Sequence, residues 1–216
     1  LPDYVKDNAD VVYFVGCVSS FSPRSFSIPR AIVRLLRKAC VDFTLLGEDE
    51  WCCGYPLLSS GMTNEVKVLA KHNIEKIISL NPDLVLAHES GLGVGDAGIK
   101  QLRDAGLNVY VVKSAVSFDE VYDTMATIGQ ATGKIKEAEE MVQTMKDEVA
   151  TIQEKASTIE TKKKVFAEIS PAPEIYTAGN NTFMNEMIEI LNAENIASDL
   201  EGWIMMDPEE IVKRNP

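Results

Sequence analysis

The chain has 216 residues, 21 basic and 33 acidic side chains for a net charge of −12, and four cysteines, Cys17, Cys40, Cys52 and Cys53. That length suits one to two domains with ample chain for a core, and 45% hydrophobic with 25% charged residues excludes a disordered segment or a disulfide-dense miniprotein. The acidity argues against nucleic acid or an anionic membrane surface as the main partner.

The charge is unevenly placed. Residues 1–72 carry eight Lys/Arg against eight Asp/Glu, whereas residues 73–216 carry 13 against 25 and hold the whole −12. Eight of the 15 aromatic residues and all four cysteines fall in the first third, so composition changes near position 72. No stretch approaches the roughly 20 apolar residues that cross a bilayer. Residues 11–16 are too short and too close to Asp7 and Asp10 for a secretory signal, which needs about 7–15 apolar residues, so Cys17 is not expected to be a lipoprotein cleavage site. The chain starts without Met and stops at Asn215-Pro216, so it reads as a fragment in which a missing signal says little about compartment.

Residues 11–15 form a β-branched and aromatic run that predicts a strand buried on both faces, ending at Gly16-Cys17. Ser27 is placed to cap a helix carrying Ile32, Leu35, Leu36 and Ala39 at helical spacing. A second strand is expected over 43–46. It leads through Gly47 and an acidic loop, residues 48–50, into Trp51-Cys52-Cys53-Gly54. Residues 64–80 have helical period through Val68, Leu69, Ile74, Ile77 and Ile78, and Asn81-Pro82 stops them. A strand over 84–87, a Gly-rich loop over 89–95, a helix over 97–105 and a strand over 109–112 follow. Strands and helices alternating at this spacing indicate α/β lobes of the doubly wound parallel-sheet type. Gly91-Leu92-Gly93-Val94-Gly95 lacks the final x-x-G of a dinucleotide loop, and no acidic residue ends the next strand.

From 118 to about 159 apolar residues recur three or four apart, from Val121 and Met125 through Met141, Met145 and Val149 to Ile159. The pattern predicts one long helix, roughly 60 Å at about 1.5 Å per residue, with Gly129 and Gly133 as the places where it would kink or split. A coiled-coil arm is the bland reading; further α/β pattern after it favours a strut between two lobes. A strand over 164–169, a Pro171-Ala172-Pro173 turn, a helix over 182–191 with Glu186 and Glu189 on its polar side, and a short helix over 208–213 complete the pass. The strand expected next is missing, so the second lobe reads as truncated. The division is a first α/β lobe over 1–116, a bridging helix over 117–160 and an incomplete second lobe over 161–216.

Cys52 and Cys53 side by side on a turn, with Cys17 at a strand end, form the sharpest local constellation, since such thiolates can hold a soft metal or an iron-sulfur cluster. The wording of Val12-Tyr13-Phe14-Val15-Gly16-Cys17, Asp42-Phe43-Thr44-Leu45-Leu46-Gly47, Glu50-Trp51-Cys52-Cys53-Gly54 and Ala70-Lys71-His72-Asn73 resembles the cysteine-rich CCG domain of heterodisulfide reductases over about residues 10–78. That resemblance implies an iron-sulfur centre, cytoplasmic location and reductase subunits as partners. In the family a CxxC about three dozen residues on completes the cluster; here Ala87-His88-Glu89-Ser90-Gly91 stands there, which leaves Cys17, Cys52 and Cys53 short of a ligand set. Cys40, where such domains often carry glycine, reads as a buried small residue.

From Asn73 onward the resemblance changes. The passages 73–87 and 101–109, the long helix with Ile128-Gly129-Gln130-Ala131-Thr132-Gly133, Tyr176-Thr177-Ala178-Gly179-Asn180-Asn181-Thr182-Phe183, and residues 194–197 and 208–216 are similar to solute-binding proteins of cobalamin and iron-siderophore ABC importers. The resemblance implies two α/β lobes bridged by one long helix, with a cobalamin-like or ferric chelate ligand held between them, and an extracytoplasmic, non-enzymatic protein. It assigns His88, Glu89 and Ser90 to the ligand on the first lobe and Tyr176 and Trp203 on the second, where aromatic faces supply contact area. It further implies docking to an ABC importer permease through Glu209 and, less directly, Asp96; the alternative for each is a solvated surface charge. The two resemblances meet on Asn73-Ile74-Glu75-Lys76-Ile77, so the chain reads as a hybrid: residues 1–72 of CCG type, residues 73–116 of binding-protein type, and one sheet able to run through both.

Overall fold

The fold is seen in a computed structural model that describes residues 4–6, 9–16, 20, 26–88 and 97–216. Two compact units divide at Leu1–Ser114 and Ala115–Pro216. In the first unit β1 (Val11–Tyr13) and β2 (Phe43–Leu45) pair in parallel, with the helix α1 (Ser27–Lys38) as their crossover. After a 3-10 turn at Gly47–Asp49 come α2 (Tyr55–Ser59), α3 (Thr63–Leu80), β3 (Val85–His88), α4 (Ala97–Asp104) and β4 (Val109–Val112), with β3 parallel to β4.

A parallel bridge between Val11 and Leu84 sets β1 beside β3. The strands therefore lie in the order β2-β1-β3-β4, all parallel, as a CCG-like pair and a binding-protein-like pair joined by that single bridge. The apolar runs are what put these strands inside: Val11, Phe43 and Leu45 are buried with Val33, and Val85 is buried with Ile74, Leu102 and Leu107. On α1 Val33 is deeply buried, between the Ile32 and Leu36 that the spacing singles out. Helix α3 joins the two parts physically. Val66 and Asn73 are buried toward the turn at 51–54, while Ile74, Ile77 and Ile78 pack with the core under β3. Cys40, expected to be buried, is exposed with φ 52°; it occupies the left-handed position after α1 that glycine usually takes.

In the second unit the segment read as one long helix is two, α5 (Phe118–Ala131) and α6 (Ile135–Ser157). The apolar period continues through the break, but Gly133 takes φ 69° and the Lys134 N–H donates to the Gly129 carbonyl, which turns the chain back on itself. The helices pack as a hairpin: Gly129 lies so close to Ala138 that a Cβ would collide, and the Lys146 ammonium stands 5.1 Å from the Tyr122 ring centre. Ser117 caps α5 by accepting from Glu120 N–H. Glu186, expected on the polar side of its helix, accepts from Phe118 N–H at 2.6 Å and so ties α5 to α7 (Phe183–Ile190).

The expected strand over 164–169 closes at β5 (Lys164–Val165), which runs parallel to β7 (Glu194–Asn195). Beyond it, β6 (Tyr176–Ala178) and β8 (Trp203–Met205) pair antiparallel, not in the parallel arrangement expected for the whole lobe. The reversal is local: the chain returns from Asn180 to Gly202, which takes φ 71°, through the bond from Gly179 N–H to Gly202 O. Buried Asn195 ties the pairs together, donating to Ala178 O and to Asn185 Oδ1, each at 2.8 Å. Helix α8 (Pro208–Arg214) begins at an Asp207 cap, and its Arg214 bonds Asp199, Glu210 and the Ile196 carbonyl. Those bonds from Arg214 hold the Asp199 and Glu210 carboxyls below the usual carboxylate range.

Candidate functional site

Parallel strands in the order β2-β1-β3-β4 direct all four carboxyl ends to one edge. The chain changes direction across the sheet between β1 and β3, and in doubly wound folds ligands sit outside the carboxyl ends of the strands at such a switch. His88 is the last residue of β3, opposite Val112, and so belongs to that edge by its backbone. Cys17, Glu89, Ser90 and Asp96, together with the His88 side chain, lie outside the described residues.

The turn carrying Cys52 and Cys53 is fixed to this edge by two clamps. The first is Glu50, whose carboxylate accepts from Val15 N–H at 2.9 Å and Gly16 N–H at 2.6 Å, just beyond the end of β1. Burial pushes the Glu50 carboxyl above the usual range even though the two backbone bonds pull the other way, and burial with the nearby Glu50 charge also raises the Tyr13 phenol. The second clamp is Asn73. Its side-chain oxygen accepts from Trp51 N–H at 2.9 Å, and its amide donates to the carbonyls of Trp51 at 3.0 Å and Cys52 at 3.3 Å. His72 adds a ring stacked on Trp51, centroids 3.6 Å apart, and a bond from Nε2 to Asp49 O at 2.9 Å.

Gly54 completes the turn with φ 89°, and a Cβ there would stand 3.0 Å from the Val66 side chain. Its N–H donates to Cys52 Sγ at 3.4 Å. Cys52 is half-buried and Cys53 exposed. The glycine and cysteine spacing made this turn legible, but the Glu50 and Asn73 clamps were not identified from sequence. The available signal for Asn73 was its place seven residues after Val66, a polar side chain on an otherwise buried helix face.

The cysteines present do not fit a complete iron-sulfur ligand set. No cysteine follows Cys53 in the chain, and among the described residues no group of three His, Cys, Asp or Glu side chains is gathered to hold a metal. No helix among the described residues is long and apolar enough to cross a membrane.

In the second unit Tyr176 pairs with Met205 and Ala178 with Trp203. Directly opposed residues share a face and alternate residues return to it, so Tyr176, Trp203 and Met205 stand on one side of the β6-β8 pair. They are 38%, 57% and 63% exposed, whereas Thr177 is buried and Ile204 packs into the core on the other side. Sequence reasoning singled out Tyr176 and Trp203 but missed Met205, because the strand containing it was not recognised. Glu209 is exposed at the start of α8, and its side chain makes no ion pair among the described residues, unlike Glu210.

Comparisons with known proteins match both sequence types, with an overlap over residues 58–91. A family model for periplasmic binding proteins matches residues 58–216, and one for the CCG cysteine-rich domain matches residues 11–91. Over 146 residues the chain is 52% identical to an uncharacterized ABC transporter substrate-binding lipoprotein of Bacillus subtilis, covering 67% of this chain and 46% of that protein. A cobalamin-binding protein of Halobacterium salinarum is 34% identical over 148 residues, covering 67% of this chain and 38% of its own. A polypeptide of the dihydromethanophenazine:CoB–CoM heterodisulfide reductase of Methanosarcina acetivorans is 45% identical over 76 residues, covering 34% of this chain and 18% of that one. Among solved structures, a possible iron-binding periplasmic solute-binding protein of Staphylococcus epidermidis superposes with a TM-score of 0.61 and 44% identity, over 66% of this chain and 55% of its own. The chain thus spans about half the length of the binding-protein relatives it matches.

Proposed function

The chain belongs to the periplasmic binding protein family through residues 58–216, and from that premise we propose that it captures a cobalamin-like, haem-like or ferric chelate ligand for an ABC importer. The observation that carries this reading is the exposed face of Tyr176, Trp203 and Met205. Three large apolar side chains side by side on a two-stranded ribbon supply flat contact area for a conjugated macrocycle, and the rigid aromatic rings lose little conformational entropy on binding. The cobalamin-binding and iron-binding relatives support the ligand class. His88, Glu89 and Ser90 are proposed as the first unit's contribution to binding.

Docking to the importer permease is assigned to Glu209, with Asp96 as the corresponding acidic residue of the first unit. An exposed carboxylate with no cation paired to it among the described residues can meet an arginine on a partner, and such docking weakens as salt rises. The lipoprotein relative supports an extracytoplasmic location and a non-enzymatic role.

Titration with aquocobalamin, hemin and a ferric siderophore, followed by tryptophan fluorescence, tests the reading. Trp203 and Trp51 are the two tryptophans, so a saturable quench that disappears in Trp203→Ala identifies the β6-β8 face. No saturable response to any of the three ligands contradicts it. The iron-sulfur alternative is separated by anaerobic reconstitution: a visible band lost on Cys52→Ser or Cys53→Ser supports a cluster, and a colourless protein removes it.

A further inference from the structure

Arg30, Val33, Arg34 and Arg37 follow one another on α1 at helical spacing, which places them on a single stripe of its surface. Val33 is buried with Val11, Phe43 and Leu45, so the stripe rises directly from the core of the β1-β2 pair. Tyr4 stands across from it. The Tyr4 ring stacks on Phe43 with centroids 5.5 Å apart. The segment carrying it is held to β2 by Thr44, whose hydroxyl accepts from Lys6 N–H at 3.0 Å and donates to the Lys6 carbonyl at 2.8 Å. Tyr4, Arg30, Val33, Arg34 and Arg37 together line a cavity of about 160 Å³.

Three guanidinium groups meet at this cavity, and no carboxylate among the described residues neutralises them. Arg30 and Arg34 make no ion pair or side-chain hydrogen bond among the described residues. Arg37 donates from Nη1 to the Tyr4 hydroxyl at 3.1 Å, with its guanidinium carbon 6.0 Å from the Tyr4 ring centre. Asp42, just beyond α1, is paired with Lys6. Arg214 shows the opposite arrangement, since Asp199 and Glu210 both engage it. Like charges three and four residues apart on a helix repel, and a bound anion removes that repulsion.

We propose that this cavity binds an organic phosphate monoester, with Arg30, Arg34 and Arg37 around the phosphate and with Tyr4 and Val33 against its carbon portion. A tetrahedral dianion offers acceptors in several directions, which suits three forked donors, whereas one bidentate arginine already satisfies a lone carboxylate. A closed apolar cavity of about 150 Å³ holds a benzene molecule, so this one has room for carbon beside the phosphate. The arginines are exposed, which leaves the cavity open to solvent for the remainder of a larger ligand. The site lies within the first unit and shares no residue with the cysteine turn or the β6-β8 face, so it stands independently of the binding-protein reading.

The test uses the whole chain, with phenyl phosphate, inorganic phosphate and hexaglutamate as separate probes. Affinity is read by calorimetry, and modification of arginines by phenylglyoxal is followed by peptide mass, with Arg103 on α4 as the internal control. At phenyl phosphate about ten times Kd, Arg30 and Arg34 are expected to react about tenfold more slowly while Arg103 is unchanged. Inorganic phosphate is expected to protect the same two residues with weaker affinity. Arg34→Gln is expected to weaken phenyl phosphate roughly tenfold through loss of a charge-assisted contact, and Arg103→Gln to leave it unchanged. No saturable heat with phenyl phosphate, or unchanged modification rates of Arg30 and Arg34 in its presence, overturns the site. Inorganic phosphate binding as tightly as phenyl phosphate overturns the contribution of Tyr4 and Val33. Hexaglutamate protecting the arginines where phenyl phosphate does not replaces the monoester with an acidic protein surface. Because protection is read on the unmodified sequence, the result does not depend on a variant folding.

Discussion

Asn73→Ala is the substitution that most directly probes how the two sequence types are joined. Asn73 is buried in α3, and its side chain makes three bonds to the backbone of Trp51 and Cys52. Each bond contributes about 1 kcal/mol net, and leaving partly buried backbone groups unpaired costs about 1–3 kcal/mol, so the loss is roughly 2–4 kcal/mol. For a domain near 100 residues that corresponds to a fall in Tm of roughly 10 °C. The assay is thermal unfolding followed by Trp51 fluorescence in a Trp203→Phe background, which isolates the first unit. Asn73→Asp keeps the acceptor for Trp51 N–H but sets an anionic oxygen against two carbonyls, so its loss is expected to be at least as large. Faster alkylation of Cys53 should accompany both, because the turn that carries it is released. A Tm for Asn73→Ala within about a degree of the parent, with unchanged Cys53 reactivity, would refute the clamp.

Three other outcomes are expected. Gly129→Ala drives a Cβ into Ala138 and to 3.0 Å from the Lys134 carbonyl, so it should destabilise the α5-α6 hairpin by about 1–3 kcal/mol with helix content nearly unchanged, as read by circular dichroism during denaturation. Glu50 has a folded-state pKa raised above its ordinary value of 4.5, so the folded state binds this proton more tightly, and its contribution to stability falls as pH rises from 4.5 through the higher folded value. The stability difference between the parent and Glu50→Gln should accordingly shrink across that window; a difference that grows with pH would reverse the assignment. Trp203→Ala should change stability by no more than about 0.5 kcal/mol, since the ring is mostly exposed, which lets its effect on binding be read cleanly in the same preparation.

The parallel core of the first unit was legible because its strands are continuous apolar runs punctuated by helices of clear period, and Val11, Phe43, Leu45 and Val85 are buried as those runs require. The helical hairpin was not, because the three-to-four apolar spacing continues through Gly133 and is the same whether the chain goes straight on or doubles back. The edge ribbon β6-β8 was hidden for another reason: Trp203 and Met205 are exposed, so no buried alternation marks the strand. At the candidate site, the cysteines could be read from residue type and Tyr176 and Trp203 were singled out through the family resemblance, whereas Glu50 and Asn73 act across 35 and 22 positions of sequence and become visible only when β1, the turn and α3 are packed together.

Whether a chain whose first lobe begins with CCG-type sequence still functions as a binding protein is tested most directly by calorimetric titration of the purified chain with aquocobalamin and hemin. Saturable binding of at least one of them is expected at one ligand per chain, weakened by Trp203→Ala. Absence of any saturable heat with both ligands, from protein whose circular dichroism shows it folded, would contradict the binding-protein function.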